Sequence, residues 1–219
     1  MRFIDRIEAG DKLATYLSGY AKNKDALVVA LPRGGVVVGF AIAKTLDLPL
    51  DIVVPRKIGA PGEPELAVGA LTQEGHPIFN TTLMDKLGVT VEDVEVTMAE
   101  EKKEAQRRLD LYRSGRSPLN MRDKIIIITD DGVATGATMR AALATVRAHQ
   151  PQKIVLAIPV CPPAELEELG LLVDEVVCLY SPETFWGVGA FYDRFEQVTD
   201  DQVVGLMRES ASSYKTSKS

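Results

Sequence analysis

Two adjacent acids, Asp130 and Asp131, follow a run of four isoleucines and one threonine, and a loop of small and hydroxyl-bearing residues comes next at 134–138. Four consecutive isoleucines predict a strand covered on both faces, so the carboxylates lie at its carboxyl end, where they need cations or hydroxyl groups as partners. Small residues let a ligand approach the backbone N–H groups, and the start of a helix favours an anion. The stretch therefore predicts a phosphate site beside an acid pair that binds a diol or a metal ion, which fits a phosphorylated sugar.

Two further loops carry cations at the ends of apolar runs. In the loop 32–35 (Pro-Arg-Gly-Gly), Arg33 offers a bidentate fork for phosphate oxygens, and the glycines allow close approach of the backbone. Arg56 and Lys57 precede a Pro- and Gly-rich stretch at 58–66. Adjacent cations beside such a stretch predict an anion site covered by a mobile loop. Together with the acid pair, these loops predict one polyanionic ligand.

The hydrophobic pattern predicts a scaffold that brings these loops together. Strands are predicted at 26–31, 50–54, 125–129, 154–158 and 175–180, and helices between them at 36–46, 137–150 and 163–169. Apolar runs without polar alternation, joined by helices, are typical of a parallel sheet covered on both faces. The predicted fold class is therefore α/β, a doubly wound, mostly parallel sheet of about five strands. Ligands in such folds bind at the carboxyl ends of the strands.

Three segments depart from that alternation, although the whole chain, 1–219, is predicted to be a single domain. Residues 65–79 predict a hairpin, and 91–113 predict a long, charged, inserted helix. The segment 210–219, rich in Ser and Lys, is predicted to be a frayed, disordered tail. The inserted helix has a narrow apolar stripe made of Val94, Met98, Ala105, Leu109 and Tyr112.

The stretch 125–138 resembles the phosphoribosyl-pyrophosphate signature of type I phosphoribosyltransferases: an apolar strand, two acids and a Thr-Gly-x-Thr phosphate loop. The resemblance implies the fold of that family. It also implies that Asp130 and Asp131 bind the ribose 2′- and 3′-hydroxyls and lie close to Mg²⁺. The residues implied to bind the 5′-phosphate, through backbone N–H groups and two hydroxyls, are Ala134, Thr135, Gly136, Ala137 and Thr138. A Walker loop is a poor competitor because the sequence has no Gly-Lys-Ser/Thr triplet.

The two cationic loops have counterparts in the same family. The family's loop corresponding to 32–35 contacts pyrophosphate, often through a cis non-proline peptide, which implies pyrophosphate contacts for Arg33, Gly34 and Gly35. The segment 56–63 resembles the flexible Arg-Lys loop of the adenine and orotate enzymes, which closes over the diphosphate. The residues implied to act in catalysis are Arg33, Arg56, Lys57, Asp130 and Asp131.

Residues 185–193 resemble the carboxy-terminal hood of the 6-oxopurine enzymes, and a hood is therefore expected at 181–209. The contacts that this implies are Trp186 and Val188 on the base and, through water, Asp193 on Mg²⁺. Ala134 stands where the 6-oxopurine enzymes carry an acid that serves the purine N7, so the acceptor base is left open. Residues 3–6 could equally cover the site from the other terminus.

Composition narrows the classes of partner. The chain has 25 Lys and Arg against 31 Asp and Glu, a net charge of −6, which argues against a nucleic-acid platform. No apolar run reaches the roughly 18 residues of a membrane helix, and the N-terminus carries charges where a signal peptide needs an apolar core. Two cysteines form neither a disulfide framework nor a metal-ligand set. A cytoplasmic protein is expected.

The resemblance implies a transferase of nucleotide metabolism that moves the 5-phosphoribosyl group from phosphoribosyl pyrophosphate to a nitrogenous base, with Mg²⁺-assisted loss of pyrophosphate. Its expected partners are these two small molecules and, as is common in the family, a second copy of the chain in a homodimer. The main alternative is a non-catalytic regulator of the same fold that binds phosphoribosyl pyrophosphate or a nucleotide. A sugar-phosphate hydrolase is a third hypothesis, for which the sequence shows no placed general base.

Overall fold

The computed structural model describes residues 1–216, except for the side chains of residues 64, 65, 215 and 216. The strands are β1 (Ala26–Ala30), β2 (Leu50–Ile52), β3 (Arg56–Ala60), β4 (Glu63–Leu71), β5 (Pro77–Phe79), β6 (Ile125–Thr129), β7 (Lys153–Val160) and β8 (Glu175–Tyr180). The helices are α1 (Arg6–Tyr16), α2 (Gly34–Leu46), α3 (Thr81–Leu87), α4 (Glu95–Arg113), α5 (Ala137–Ala148), α6 (Pro163–Gly170) and α7 (Asp200–Thr216).

Five strands form a parallel sheet in the order β2-β1-β6-β7-β8, which confirms the predicted α/β fold. From β1 the chain proceeds outward to β2, whereas from β6 it proceeds outward in the other direction. The strand order therefore reverses between β1 and β6, and ligands of open α/β sheets bind at such a switch point. The two strands end level, because Ala30 lies opposite Thr129. The loops after them consequently begin side by side.

The isoleucine run lacks polar alternation because both faces of β6 are covered. Ile127 packs into a core with residues of α1, α2 and α7, whereas Ile126 and Ile128 pack into a second core with residues of α5 and α6. All three side chains are fully buried. Full burial of one such side chain contributes roughly 1.5–3 kcal/mol, so β6 is a rigid support for the acids that follow it.

A smaller antiparallel sheet, β3-β4-β5, contains the predicted hairpin but corrects the interpretation of its first strand. The stretch 58–66, expected to be a mobile loop, is formed mainly by two paired strands. Residues 58–60 belong to β3, which pairs with β4, and Ile58 is fully buried with Val68 and Met84. The pairing partner and the apolar side chains of β4 and α3 override the weak strand propensity of the Gly- and Pro-rich sequence.

Of the segment 91–113, predicted to be a long helix, residues 95–113 form α4, which begins at Glu95 after a short 3-10 turn at Glu92–Val94. Four of its five stripe residues are buried, Met98 being half-buried. The predicted disordered tail is wrong for residues 210–216, which belong to α7, while 217–219 lie outside the described residues. Among the described residues, no helix is both long enough and apolar enough to cross a membrane.

Candidate functional site

The loop after β1 packs directly onto the acid pair that follows β6. The peptide bond between Pro32 and Arg33 is cis, within the segment where the resemblance led us to expect it. A methyl group on Gly34 would overlap the Asp131 carboxylate, and one on Gly35 would lie 2.7 Å from Oδ1 of Asp130. Both positions therefore require glycine for close approach. The structure thus brings together two of the sequence-predicted loops at the switch point of the sheet.

Arg6, the first residue of α1, is a member of this site that sequence analysis did not assign. Its Nε donates to Oδ2 of Asp131 at 2.7 Å, and its Nη1 donates to the carbonyl of Glu196 at 3.0 Å. The guanidinium also lies over the Phe195 ring, 3.8 Å from the centroid. The side chains of Arg6 and Asp131 are only 10% and 15% exposed. Sequence analysis suggested only that residues 3–6 could cover the site, since no local pattern marks a contact across 125 residues.

Burial dominates the electrostatics of the two acids. It raises the pKa of Asp130 well above its usual range, and the neighbouring Asp131 raises that pKa further. Burial also raises the pKa of Asp131, although the Arg6 guanidinium opposes this shift. Oδ1 of Asp130 accepts from the backbone N–H of Asp131 at 2.8 Å. The pair is therefore held by backbone and arginine donors, and it favours further donors such as ligand hydroxyls.

The predicted phosphate loop lies at the start of α5. Gly136 takes a left-handed conformation with φ +69°, and the helix begins at the next residue, so the first N–H groups of α5 are unpaired within the helix. Ala134 and Thr135 are exposed, and Thr138 is half-buried. An exposed loop of this kind at a helix N-terminus can accept an anion.

Arg140 supports this loop from within α5, and sequence analysis did not find it. Its Nη1 donates to the carbonyl of Thr135 at 2.9 Å. Its Nη2 binds the carboxylates of Glu165, at 2.8 Å, and Glu168, both on α6. These contacts hold the carbonyl of Thr135, and with it the phosphate loop, in place. The signal is not local, because Arg140 and Glu165 lie 25 residues apart.

The arginines of the two other loops, Arg33 and Arg56, are paired with carboxylates. Nη1 of Arg33 lies 3.6 Å from Asp200 at the start of α7, and Arg56 binds Glu101 on α4. Lys57 lies in β3 and lines a cavity of about 850 Å³ together with Thr135 and other residues of the phosphate-loop side. The structure therefore places Lys57 beside the phosphate loop, while Arg33 and Arg56 each contact a helix outside the central sheet.

The segment expected to form a hood has two parts. In the first, the hydroxyl of Tyr192 donates to the backbone carbonyl of Asp131 at 2.6 Å, and a methyl group on Gly132 would lie 2.6 Å from Val188. This part covers the residues that follow β6. In the second part, α7 packs into the core with α2, and its first residue, Asp200, contacts Arg33. Trp186 is 85% exposed, so its stacking on a base stays a prediction.

The residues expected near Mg²⁺ do not form a protein-only metal cage. Asp193 is exposed and pairs with Arg2 at 3.1 Å. Among the side chains that the structure describes, no group of three or more His, Cys, Asp or Glu could hold a metal ion. The donor set at the switch point is two partly buried carboxylates, one oxygen of which already binds Arg6. Such a set suits an ion that takes most of its ligands from a bound polyanion.

The fold and this site together define a protein of the phosphoribosyltransferase class: a parallel sheet, an acid pair at its switch point and a phosphate loop at the next helix. A family model for the phosphoribosyl transferase domain matches residues 4–195, and the chain belongs to that family.

Relatives of known sequence and structure are similar over most of the chain. Two curated Mycobacterium tuberculosis proteins, from strains CDC 1551 and H37Rv and both named putative phosphoribosyl transferase, are each 40% identical over 205 residues. That match covers 94% of this chain and 46% of each relative, so the chain spans about half the length of these proteins. The crystal structure of TT1426 from Thermus thermophilus is 38% identical with a TM-score of 0.80, covering 95% of this chain and 99% of that one.

Proposed function

We propose that the protein transfers the 5-phosphoribosyl group of phosphoribosyl pyrophosphate to a nitrogenous base. The observation that carries this proposal is the close approach of Gly34 and Gly35, in the loop after β1, to the acid pair at the switch point, next to the phosphate loop. Phosphoribosyl pyrophosphate has a phosphate at one end, a diol in the middle and a diphosphate at the other. The phosphate loop, the acid pair and the loop after β1 would each bind one of these parts.

Each part of the substrate has a binding group in the proposed site. Asp130 and Asp131 accept hydrogen bonds from the ribose 2′- and 3′-hydroxyls. The N–H groups of 134–138 and the hydroxyls in that loop bind the 5′-phosphate. The diphosphate lies against the loop after β1, with Arg33, Arg56 and Lys57 as its cations. The acceptor base is expected near Val188, on the side of the acid pair covered by the hood.

The proposed reaction needs no covalent enzyme intermediate. A nitrogen of the base forms a bond to C1′ of the ribose while the C1′–O bond to the diphosphate breaks, and pyrophosphate leaves with the electron pair. Positive charge develops on the ribose in the transition state. The protein contributes by holding both reactants in line and by stabilising the negative charge of the leaving group. Bound Mg²⁺ would add charge neutralisation on the diphosphate, with Asp130 and Asp131 as its nearest carboxylates.

The test is a pyrophosphate-release screen with phosphoribosyl pyrophosphate, Mg²⁺ and a panel of purines, pyrimidines and pyridines. Release with at least one base, lost in Asp131→Ala, supports the transferase. The second candidate, a non-catalytic regulator, would use the same binding groups without turnover. Saturable binding of phosphoribosyl pyrophosphate without release in the presence of any base would select the regulator. No binding at all would reject both.

A further inference from the structure

Arg33 shares its carboxylate partner, Asp200, with a second arginine at the proposed diphosphate end of the site. Asp200 receives Arg33 on Oδ1 at 3.6 Å and Nη2 of Arg107 on Oδ2 at 3.7 Å. The hydroxyl of the fully buried Tyr112 donates to Oδ1 at 2.6 Å, and burial, together with this contact, raises the pKa of Tyr112 to about 12. Two cations from distant parts of the chain therefore meet at the Asp200 carboxylate, which the hydrogen bond from Tyr112 holds in place.

This meeting point lies at the functional edge of the sheet. Arg33 belongs to the loop whose next two residues, Gly34 and Gly35, lie against the two acids. Arg107 is consequently separated from that loop by a single carboxylate. Its side chain is 54% exposed, so it can turn towards a ligand bound over the loop.

Arg108, the next residue of α4, gives a matched comparison. Both arginines bind Glu104, Arg107 through Nε at 2.7 Å and Nη2 at 2.9 Å, and Arg108 through Nε at 2.7 Å. These contacts lower the pKa of Glu104 to about 2, so it stays ionised. Only Arg107 also reaches Asp200, because residues one apart on a helix point about 100° away from each other.

We propose that Arg107 is a further diphosphate-binding residue, and that Arg33 and Arg107 bind the diphosphate together from either side of Asp200. A diphosphate carries more negative charge than a carboxylate and accepts paired hydrogen bonds from a guanidinium, so it competes with Asp200 for both cations. The inserted helix α4 is then part of the substrate site. This inference rests on the proposed function.

The experiment compares Arg107→Gln with Arg108→Gln. Each variant removes one positive charge from the same helix and its contact to Glu104, but only the first removes the cation beside Asp200. Calorimetry measures binding of phosphoribosyl pyrophosphate with Mg²⁺, and of ribose 5-phosphate, which lacks the diphosphate. We expect Arg107→Gln to weaken the first ligand about tenfold, the loss of one charged hydrogen bond, and to leave the second within about twofold. Arg108→Gln should leave both within about twofold.

The other outcomes separate failure of the inference from failure of the proposed function. Unchanged binding of phosphoribosyl pyrophosphate by Arg107→Gln overturns the inference alone. Equal weakening by both variants, or equal weakening of both ligands by Arg107→Gln, also overturns it, because the effect is then a general charge or folding effect. A wild-type protein that binds phosphoribosyl pyrophosphate no more tightly than ribose 5-phosphate overturns the diphosphate site itself, and with it the proposed function.

Discussion

Replacing Arg6 by Gln tests the electrostatics of the acid pair most directly. The change leaves Asp131 buried without its cation, next to Asp130. Removing one partner of a buried ion pair costs about 3–5 kcal/mol of the free energy of unfolding. An exposed pair such as Arg2–Asp193, with side chains 61% and 56% exposed, contributes at most about 1 kcal/mol. Arg2→Gln, in the same N-terminal segment, is therefore the matched control.

The pH dependence of this cost has a definite sign. The pKa of Asp131 is raised in the folded protein, so its burial destabilises the fold as pH rises from the unfolded-state pKa of 3.8 to the higher folded-state value. Without Arg6 the folded-state pKa rises further. The variant should therefore lose most stability at neutral pH and progressively less as pH falls towards the unfolded-state pKa, because protonation removes the buried charge.

Urea denaturation of wild type, Arg6→Gln and Arg2→Gln at about pH 7.5 and at about pH 4, close to the unfolded-state pKa of 3.8, measures these differences. The expected result is a loss of about 3 kcal/mol or more for Arg6→Gln at the higher pH that shrinks at the lower pH. A loss equal to that of Arg2→Gln, or one that does not change with pH, would show that the Arg6 pair is not a buried charge partner of Asp131.

Three further variants probe the loops around the acid pair. Asp131→Ala should abolish saturable binding of phosphoribosyl pyrophosphate and also lower the free energy of unfolding, because Arg6 loses its partner; a wild-type titration curve would contradict the ribose role. Gly34→Ala should destabilise the fold by about 1–3 kcal/mol, because the added methyl group overlaps Asp131. The control is Gly19→Ala, where a methyl group meets nothing within 4 Å. Equal stability of the two variants would refute the close approach of Gly34 to Asp131. Thr138→Val should weaken binding of ribose 5-phosphate as well as of the full substrate, and unchanged affinities would remove Thr138 from the phosphate site.

The strands and their terminal loops can be predicted because their signals are local. The bounds predicted for β6 and β8 agree with the structure, and α5 begins at the predicted residue. An apolar run indicates burial on both faces, and the residues after it must lie at the strand's carboxyl end. The loops that carry the acid pair and its glycine partners are therefore expected at one edge of the sheet from the sequence alone.

Some elements escape prediction although their sequence carries a signal. In α7, Val203, Met207 and Ser210 are buried at a spacing of three and four residues, the period of a helix face. The prediction of a disordered tail relied on the Ser- and Lys-rich composition after 210 and not on this helical spacing. It is therefore wrong for the residues that belong to α7. For β3, by contrast, Arg56 and Lys57 followed by a glycine-rich stretch give no alternation, and its conformation depends on pairing with β4.

The residues that hold the site in place escape prediction for a different reason. Arg6 lies 125 positions from Asp131, and Asp200 lies far from Arg33 in the chain, so neither pairing leaves a local pattern. Ligand-binding groups cluster at strand ends because the sheet delivers them there, whereas their charge partners come from whichever helix packs nearby. The pKa of a buried acid and the orientation of an arginine both depend on such a partner. The chemistry that the loops can perform is thus set by α1, α4 and α7, and the Arg6 and Arg107 variants test this dependence at two parts of the proposed substrate site.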